Sequence, residues 1–262
     1  MNGVRRFLPL GLATLALAAC ASPQAQQQAR QARAASAFLE RQGSVGDPGR
    51  VAAADFAFAR MAREEGNWTA FRAYAAPGAL FDDDDDPSGW SSVLGQLQVL
   101  PDPAEPILWA PTRVWSSCDG RLAVSEGRSR RPNGVVGTYI TIWELQPDNE
   151  YRWSYDTGTP DDPQPAPVPR EDIPDDAIVV PGMTALQGSV ADCPRAGESV
   201  PPPPQTTFGM GVRGVSEVSS DGTLRYTRLV AADRSREVIV EWLREGEWQE
   251  ATRLRLPAPA AQ

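Results

Sequence analysis

The chain has 262 residues and a net charge of −9, with 34 acidic residues against 25 basic ones. So acidic a polypeptide repels nucleic-acid phosphates and anionic lipid headgroups, which argues against nucleic-acid binding. Histidine is absent and every basic residue is arginine, which excludes a histidine-based Ser or Cys triad, an imidazole metal site and a lysine Schiff base; no cofactor or metal is expected.

Arg5 and Arg6 precede a mostly apolar run, Phe7 to Ala19. A bilayer-spanning helix needs about 20 apolar residues, so this run is too short to span and reads as a secretory signal. It ends in Leu17-Ala18-Ala19-Cys20, which resembles the lipobox of bacterial lipoproteins. The resemblance implies that Cys20 is lipidated, palmitate included, and becomes the mature N-terminus. Because Ala21 replaces the aspartate that marks inner-membrane retention, it also implies anchorage on the periplasmic face of the outer membrane. An ordinary signal peptide cut near Ala19 is the alternative. Residues 1–19 are read as signal peptide and residues 20–46 as lipidated terminus and flexible tether, too poor in large apolar side chains to order themselves. Cys118 and Cys193 then remain, and an even pair in an oxidising compartment suggests a disulfide; two free thiols are the alternative.

Asp47-Pro48-Gly49 signals a helix start, and Val51, Ala54, Phe58, Met61 and Ala62 form a helical stripe ending at Gly66. A second helix is predicted from Asn67 as cap to Pro77-Gly78, with Trp68, Phe71 and Tyr74 near one side. A third is predicted after a Ser88 cap, with Trp90, Val93, Leu94 and Leu97 as its stripe. The acidic run Asp82 to Asp86 between them lacks the spacing of a calcium loop and is read as a solvated loop. From Ile107 the period changes to two: ILWAPTRVWS, RLAVSEG, GTYITIWEL and EYRWSYDTG alternate between turn residues. Residues 159–205 are Pro-rich and are read as an extended, largely unpaired segment tied down by Cys193. Strand patterning returns over 206–257, in TTFGMGVRGVSEV, TLRYTRLVAA, REVIVEWLRE and EWQEATRLRLP, before a disordered tail at 258–262. The two meanders echo each other, Asp119-Gly120-Arg121-Leu122 matching Asp221-Gly222-Thr223-Leu224 and Ile142-Trp143-Glu144-Leu145 matching Val240-Glu241-Trp242-Leu243.

The phrases AADFAFARMAREEG, AFRAYAAPGALF, Trp109-Ala110-Pro111, Asp119-Gly120-Arg121-Leu122 with Gly127, and GTYITIWEL…YRWSYDTG carry a likeness. Residues 51–158 resemble the nuclear transport factor 2-like superfamily, especially SnoaL-like bacterial proteins. The resemblance implies an α+β fold in which three helices pack on a curved antiparallel sheet to form a cone around a pocket, here a domain at 47–158, with the 206–257 meander packed on it. That superfamily includes isomerases, dehydratases and cyclases beside members with no chemistry, so the fold does not settle function.

Asp55 lies on or near the apolar face of the first helix. It reads either as an exposed helix carboxylate, the simpler view, or as a buried general base with a raised pKa. Asp156, at the end of its strand, reads either as a turn residue or as an acid at a pocket mouth. The strands show one face rich in aromatics (Trp109, Arg113, Trp115, Tyr139, Thr141, Trp143, Tyr151, Trp153, Tyr155) and another that is aliphatic (Leu108, Val114, Ile140, Ile142). The aliphatic face is expected to pack on the helices. The aromatic one either lines a ligand site built from Tyr74, Trp109, Arg113, Tyr139 and Trp143, or is buried by the C-terminal strands or in a homodimer.

The leading functional expectation is a non-catalytic, outer-membrane-anchored periplasmic module that binds a small apolar ligand or an envelope protein. The alternatives are a periplasmic lyase or isomerase using Asp55 or Asp156 as base, and an envelope scaffold. An acid deep in an apolar cavity, within hydrogen-bond reach of a tyrosine, would favour the enzyme; a filled interior would favour the scaffold.

Overall fold

A computed structural model describes residues 46–83, 86, 88–92, 94–166, 186–195 and 197–259. The signal, the lipobox with Cys20 and nearly all of the tether lie outside these residues, as do residues 167–185 of the Pro-rich segment. No helix among the described residues is long and apolar enough to cross a membrane.

Helix α1 (Pro48–Glu65) starts where the sequence places it. Asp47 accepts from the backbone N–H groups of Gly49 and Arg50 at 2.9 and 3.3 Å, and Pro48 occupies the first turn. Helix α2 (Asn67–Tyr74) follows directly. Its capping acid is Asp102, which accepts from Trp68 N and Thr69 N at 2.5 and 3.1 Å. Asn67 is not that cap; its side chain accepts from Ile107 N instead.

The chain leaves the helix at Ala75 and runs extended through β1 (Ala75–Asp82), consistent with the bias of residues before a proline toward extended backbone. The third helix is corrected to a single turn, α3 (Leu94–Leu97), because Trp90 belongs to a short strand, β2 (Trp90–Ser92), paired to β1. Val93 lies outside the described residues.

Strands β3 (Leu108–Ser116), β4 (Leu122–Arg130), β5 (Val136–Leu145) and β6 (Tyr151–Pro160) form the predicted meander, and the segment expected to be largely unpaired contributes a strand, β7 (Gln187–Val190), that pairs with β3. Together with β1 and β2 they make a seven-stranded sheet of order β2-β1-β6-β5-β4-β3-β7, in which β1 runs parallel to β6 and β7 parallel to β3. A second sheet is the four-stranded meander β8 (Arg213–Val218), β9 (Leu224–Val230), β10 (Arg236–Arg244) and β11 (Glu247–Leu256). The expected cone of three helices on a curved antiparallel sheet is therefore overturned. Strand outweighs helix in the described chain, its larger sheet is mixed, and two helices and one turn cover one face while a second sheet covers the other.

Two cores result. One joins α1 and α2 to the larger sheet through Val51, Phe58, Phe71, Val114, Trp143 and Trp153. The other joins the sheets, with Val124, Ile140, Ile142 and Tyr155 meeting Leu224, Tyr226, Val240 and Trp242. The face assignment departs from expectation on β5, although Val114 of β3 does pack on the helices as expected. Tyr139 and Trp143 look toward the helices, and the aliphatic Ile140 and Ile142 look toward the second sheet.

Two β-bulges within the β3–β6 meander complicate its alternation. In β3, Pro111 pairs with Gly127 and Arg113 with Glu126, leaving Thr112 as the extra residue. In β6, Ile142 pairs with Tyr155 and Trp143 with Trp153, leaving Ser154 extra. Each bulge inverts the faces of the residues beyond it.

The echo between the meanders has a structural counterpart. Ser117 N donates to Leu122 O and Ser219 N to Leu224 O, while Leu145 N donates to Arg121 O and Leu243 N to Thr223 O. The two Asp-Gly turns also grip each other: Asp119 N donates to Asp221 at 2.6 Å, Ser220 Oγ to Asp119 at 2.5 Å, and Cys118 N to Thr223 Oγ1 at 2.9 Å.

Beside this clasp, Cys118 and Cys193 are joined by the disulfide, with Cα atoms 5.1 Å apart and 75 positions between them in sequence. A loop of that length stabilises by about 4 kcal/mol in the chain-entropy view. Cys118→Ala is therefore expected to lower the unfolding free energy by roughly that amount in oxidising buffer. Denaturant melts should show the gap to wild type closing when reductant is added to both.

Candidate functional site

Between α1, α2 and the larger sheet lies a pocket of about 230 Å³. Its walls are aromatic: Phe58 from α1, Trp68 and Phe71 from α2, Phe81 from β1, Trp109 from β3 and Tyr139 from β5. They pack mainly edge-on or tilted, Phe58 lying 4.8 Å from both Phe71 and Trp109 by ring centroid, the arrangement that aromatic quadrupoles favour. The Asp156 side chain, Gly137 and residues 157–160 complete the lining, with exposed Arg131 at its rim.

Asp55, fully buried, sits behind this wall. The periodicity that buries Val51 and Phe58 carries it inward with them. Trp109 Nε1 donates to Asp55 Oδ1 at 3.0 Å; Ser125 Oγ and Tyr139 OH donate to Oδ2 at 2.7 and 3.0 Å. The directions follow from chemistry. An indole N–H can only donate, and Ser125 Oγ already accepts from Trp143 Nε1 at 2.9 Å, so its own proton is free for Asp55. Burial pushes the Asp55 pKa up to about 6, against the opposing pull of the three hydrogen bonds. The same burial and the neighbouring Asp55 raise the Tyr139 phenol well above its ordinary value, so it stays neutral.

Asp156 reaches the pocket because of the Ser154 bulge. Regular alternation would put Tyr151, Trp153 and Tyr155 on one face and Asp156 on the other. With one residue extra, Tyr155 turns to the second sheet and Asp156 turns to the helix side, opposite Thr141. Thr141 Oγ1 donates to Asp156 Oδ2 at 2.6 Å, and Asp156 is half-buried and lines the pocket. Burial, with the nearby Asp55 and Asp82 adding to it, pushes its pKa up to about 7. The two acids singled out in the sequence thus share one region, one lining the pocket and one behind its wall.

The other expected residues divide. Trp109 and Tyr139 line the pocket. Tyr74 packs on Phe58 without reaching it, and Trp143 is fully buried in the core behind it. Arg113 is turned to the opposite face by the Thr112 bulge, where it pairs with Glu126 and stacks over Trp115. Glu126 in turn accepts from Thr252 of the second sheet. Asp82, expected in a solvated run, instead accepts from Tyr155 OH and Thr157 Oγ1 at 2.7 and 2.6 Å. No group of acidic or sulfur side chains among the described residues is arranged to hold a metal.

Sequence reading missed Phe58, Trp68 and Phe71 as pocket residues because a helical stripe that faces a core and one that faces a pocket look alike. It missed Phe81 and Arg131 because nothing local marks them. Gly127 carried a visible signal. A Cβ there would lie 2.2 Å from Ala110 O and 2.6 Å from the Tyr139 ring, so only glycine lets that ring lie across β4.

Comparison with protein families, with characterised proteins and with solved structures returns no match; the assignment of chemistry rests on this geometry.

A carboxyl whose folded pKa is raised favours folding most when protonated. Its contribution is complete below the ordinary value of 3.8 and is lost as pH rises through about 7 for Asp156. Asp156→Asn keeps an acceptor for Thr141 but cannot ionise. Its stability relative to wild type should therefore rise by roughly 2–4 kcal/mol between about pH 4 and pH 8, measured by urea melts across that range. A constant difference would show that Asp156 is not held protonated by the fold.

Proposed function

We propose that this protein is a cofactor-independent lyase or isomerase that moves a proton on a small, largely apolar substrate, with Asp156 as the acid–base group. One observation carries the reading: an aromatic pocket contains a single carboxyl with a pKa near 7. Such a group is present in both protonation states at neutral pH, so it can take a proton from carbon beside a carbonyl and return it elsewhere on the same molecule. The aromatic walls exclude water and hold a flat apolar body, and Asp55 fixes the Trp109 and Tyr139 walls by accepting from both. The superfamily that residues 51–158 resemble includes isomerases and dehydratases beside members with no chemistry, so the reading rests on the pocket and its carboxyl. A purely binding module would not need an ionisable group at that position.

The test uses a minimal neutral substrate, 3-cyclohexen-1-one, whose isomerisation to the conjugated ketone is followed by its new absorbance. The expected rate rises with pH to a plateau, with an inflection near the Asp156 value of about 7. Asp156→Asn should lower it by at least about 100-fold, the lower end of general-base contributions. A rate equal in wild type and variant removes the enzyme reading and leaves a carrier.

The anchoring of this activity in the outer membrane belongs to the same proposal, on the strength of Leu17-Ala18-Ala19-Cys20. Cys20→Ser is expected to accumulate as unprocessed precursor and to lose incorporation of an alkynyl palmitate analogue. Undiminished labelling of the variant would remove the anchor.

A further inference from the structure

We infer that the substrate carries a carboxylate or similar anionic group, held at the pocket rim by Arg131, so that its ligand class is an elongated apolar acid. This rests on the acid–base reading of the same pocket and adds the identity of the group at its other end.

Arg131 follows the last residue of β4 and is exposed, yet it lines the pocket together with Ser129, Val135 and Val136. It has no carboxylate partner among the described residues, although this chain is rich in acid. Arg113, Arg128, Arg152, Arg225, Arg228 and Arg253 each have one. Its backbone is fixed by the turn in which Arg131 N donates to Val135 O and Gly134 N to Arg131 O, which sets the root of this side chain at the pocket lining.

Position then selects the ligand. Asp156 lies opposite Thr141, whereas Arg131 is two residues beyond Ser129, which pairs with Gly137. At about 3.3 Å per residue, the two levels are on the order of 20 Å apart along the strands, less what the long arginine side chain spans in reaching back. A compact neutral molecule could not use both. A molecule with a flat apolar body between the aromatic walls and an anion at the rim could. That separation also keeps the ligand's negative charge away from Asp156, where it would repel the ionised base. With net charge −9 the protein's own field opposes anions, so an arginine at the rim without a carboxylate partner among the described residues gives a negative ligand a local point of attraction.

A matched pair of probes tests this: 2-naphthylacetate and 2-naphthylacetamide, alike in shape and different in charge, titrated calorimetrically into the mature chain at neutral pH. A charge-assisted hydrogen bond at a partly exposed site should make the acid bind about tenfold tighter than the amide, and the preference should shrink with added salt. In Arg131→Gln the ratio should fall to near one through weaker binding of the acid. Equal affinity of acid and amide in wild type, or an undiminished ratio in Arg131→Gln, overturns the inference. If the neutral ketone is isomerised while that ratio is one, only the anionic end of the proposal falls. If neither naphthyl compound binds, this proposal falls, and isomerisation of the ketone then decides the fate of the acid–base reading.

Discussion

The candidate site depends on one surplus residue in a strand. Ser154 has no partner across β5, and everything beyond it on β6 changes sides. Tyr155 leaves the aromatic face and enters the core between the sheets, where its hydroxyl meets Asp82. Asp156, which would otherwise be pressed into that same aliphatic core, turns to the pocket and to Thr141. A carboxyl facing Ile140 and Ile142 would cost several kcal/mol with nothing to offset it. Facing the pocket, it keeps one hydrogen bond and access to solvent or ligand. The buried Ser154 hydroxyl, without a partner among the described residues, is the visible local cost of that arrangement.

Behind the pocket wall the balance differs. Asp55 is enclosed completely but receives three donors, so desolvation and hydrogen bonding oppose each other and desolvation wins only in part. The network runs from Trp143 through Ser125 to Asp55 and on to Trp109 and Tyr139. It thereby ties α1 to β3, β4 and β5 with polar contacts that have direction. Apolar packing alone would let the helix slide on the sheet. The network fixes the helix and, with it, two walls of the pocket.

The local elements were legible from sequence where a signal was local: the Asp47 cap, the period-two strands, the Asp-Gly turns and the pairing of two leftover cysteines. Faces were not legible beyond the bulges, because one inserted residue shifts a period-two pattern without changing its composition. Trp115 and Arg113 were assigned to the face of Trp109, and Tyr155 to that of Trp153, for this single reason. The short helix expected at Trp90 failed differently. Its apolar spacing fits a helix, but pairing of Trp90–Ser92 with β1 outweighs that weak local preference. Asp55 and Asp156 were visible as candidates, but their meeting was not, since it depends on a helix crossing two strands far away in sequence.

The second sheet explains why the chain needs its C-terminal half. The meander β3–β6 has two apolar faces, and α1 and α2 can cover only one. The aliphatic residues Ile140 and Ile142 need a partner, which β8–β11 supply from a meander with the same turn hydrogen bonds. Covering that face also buries charge: Glu126 is held between Arg113 and Thr252, and Arg228 lies against Tyr155 and Tyr226. These charges tolerate burial because each is matched or stacked on an aromatic face. With the aliphatic centre of the inter-sheet side covered by its own chain, the helix side is left to form the aromatic pocket. The exposed Arg131 and the half-buried Asp156 then become its two polar ends, separated by an aromatic sleeve.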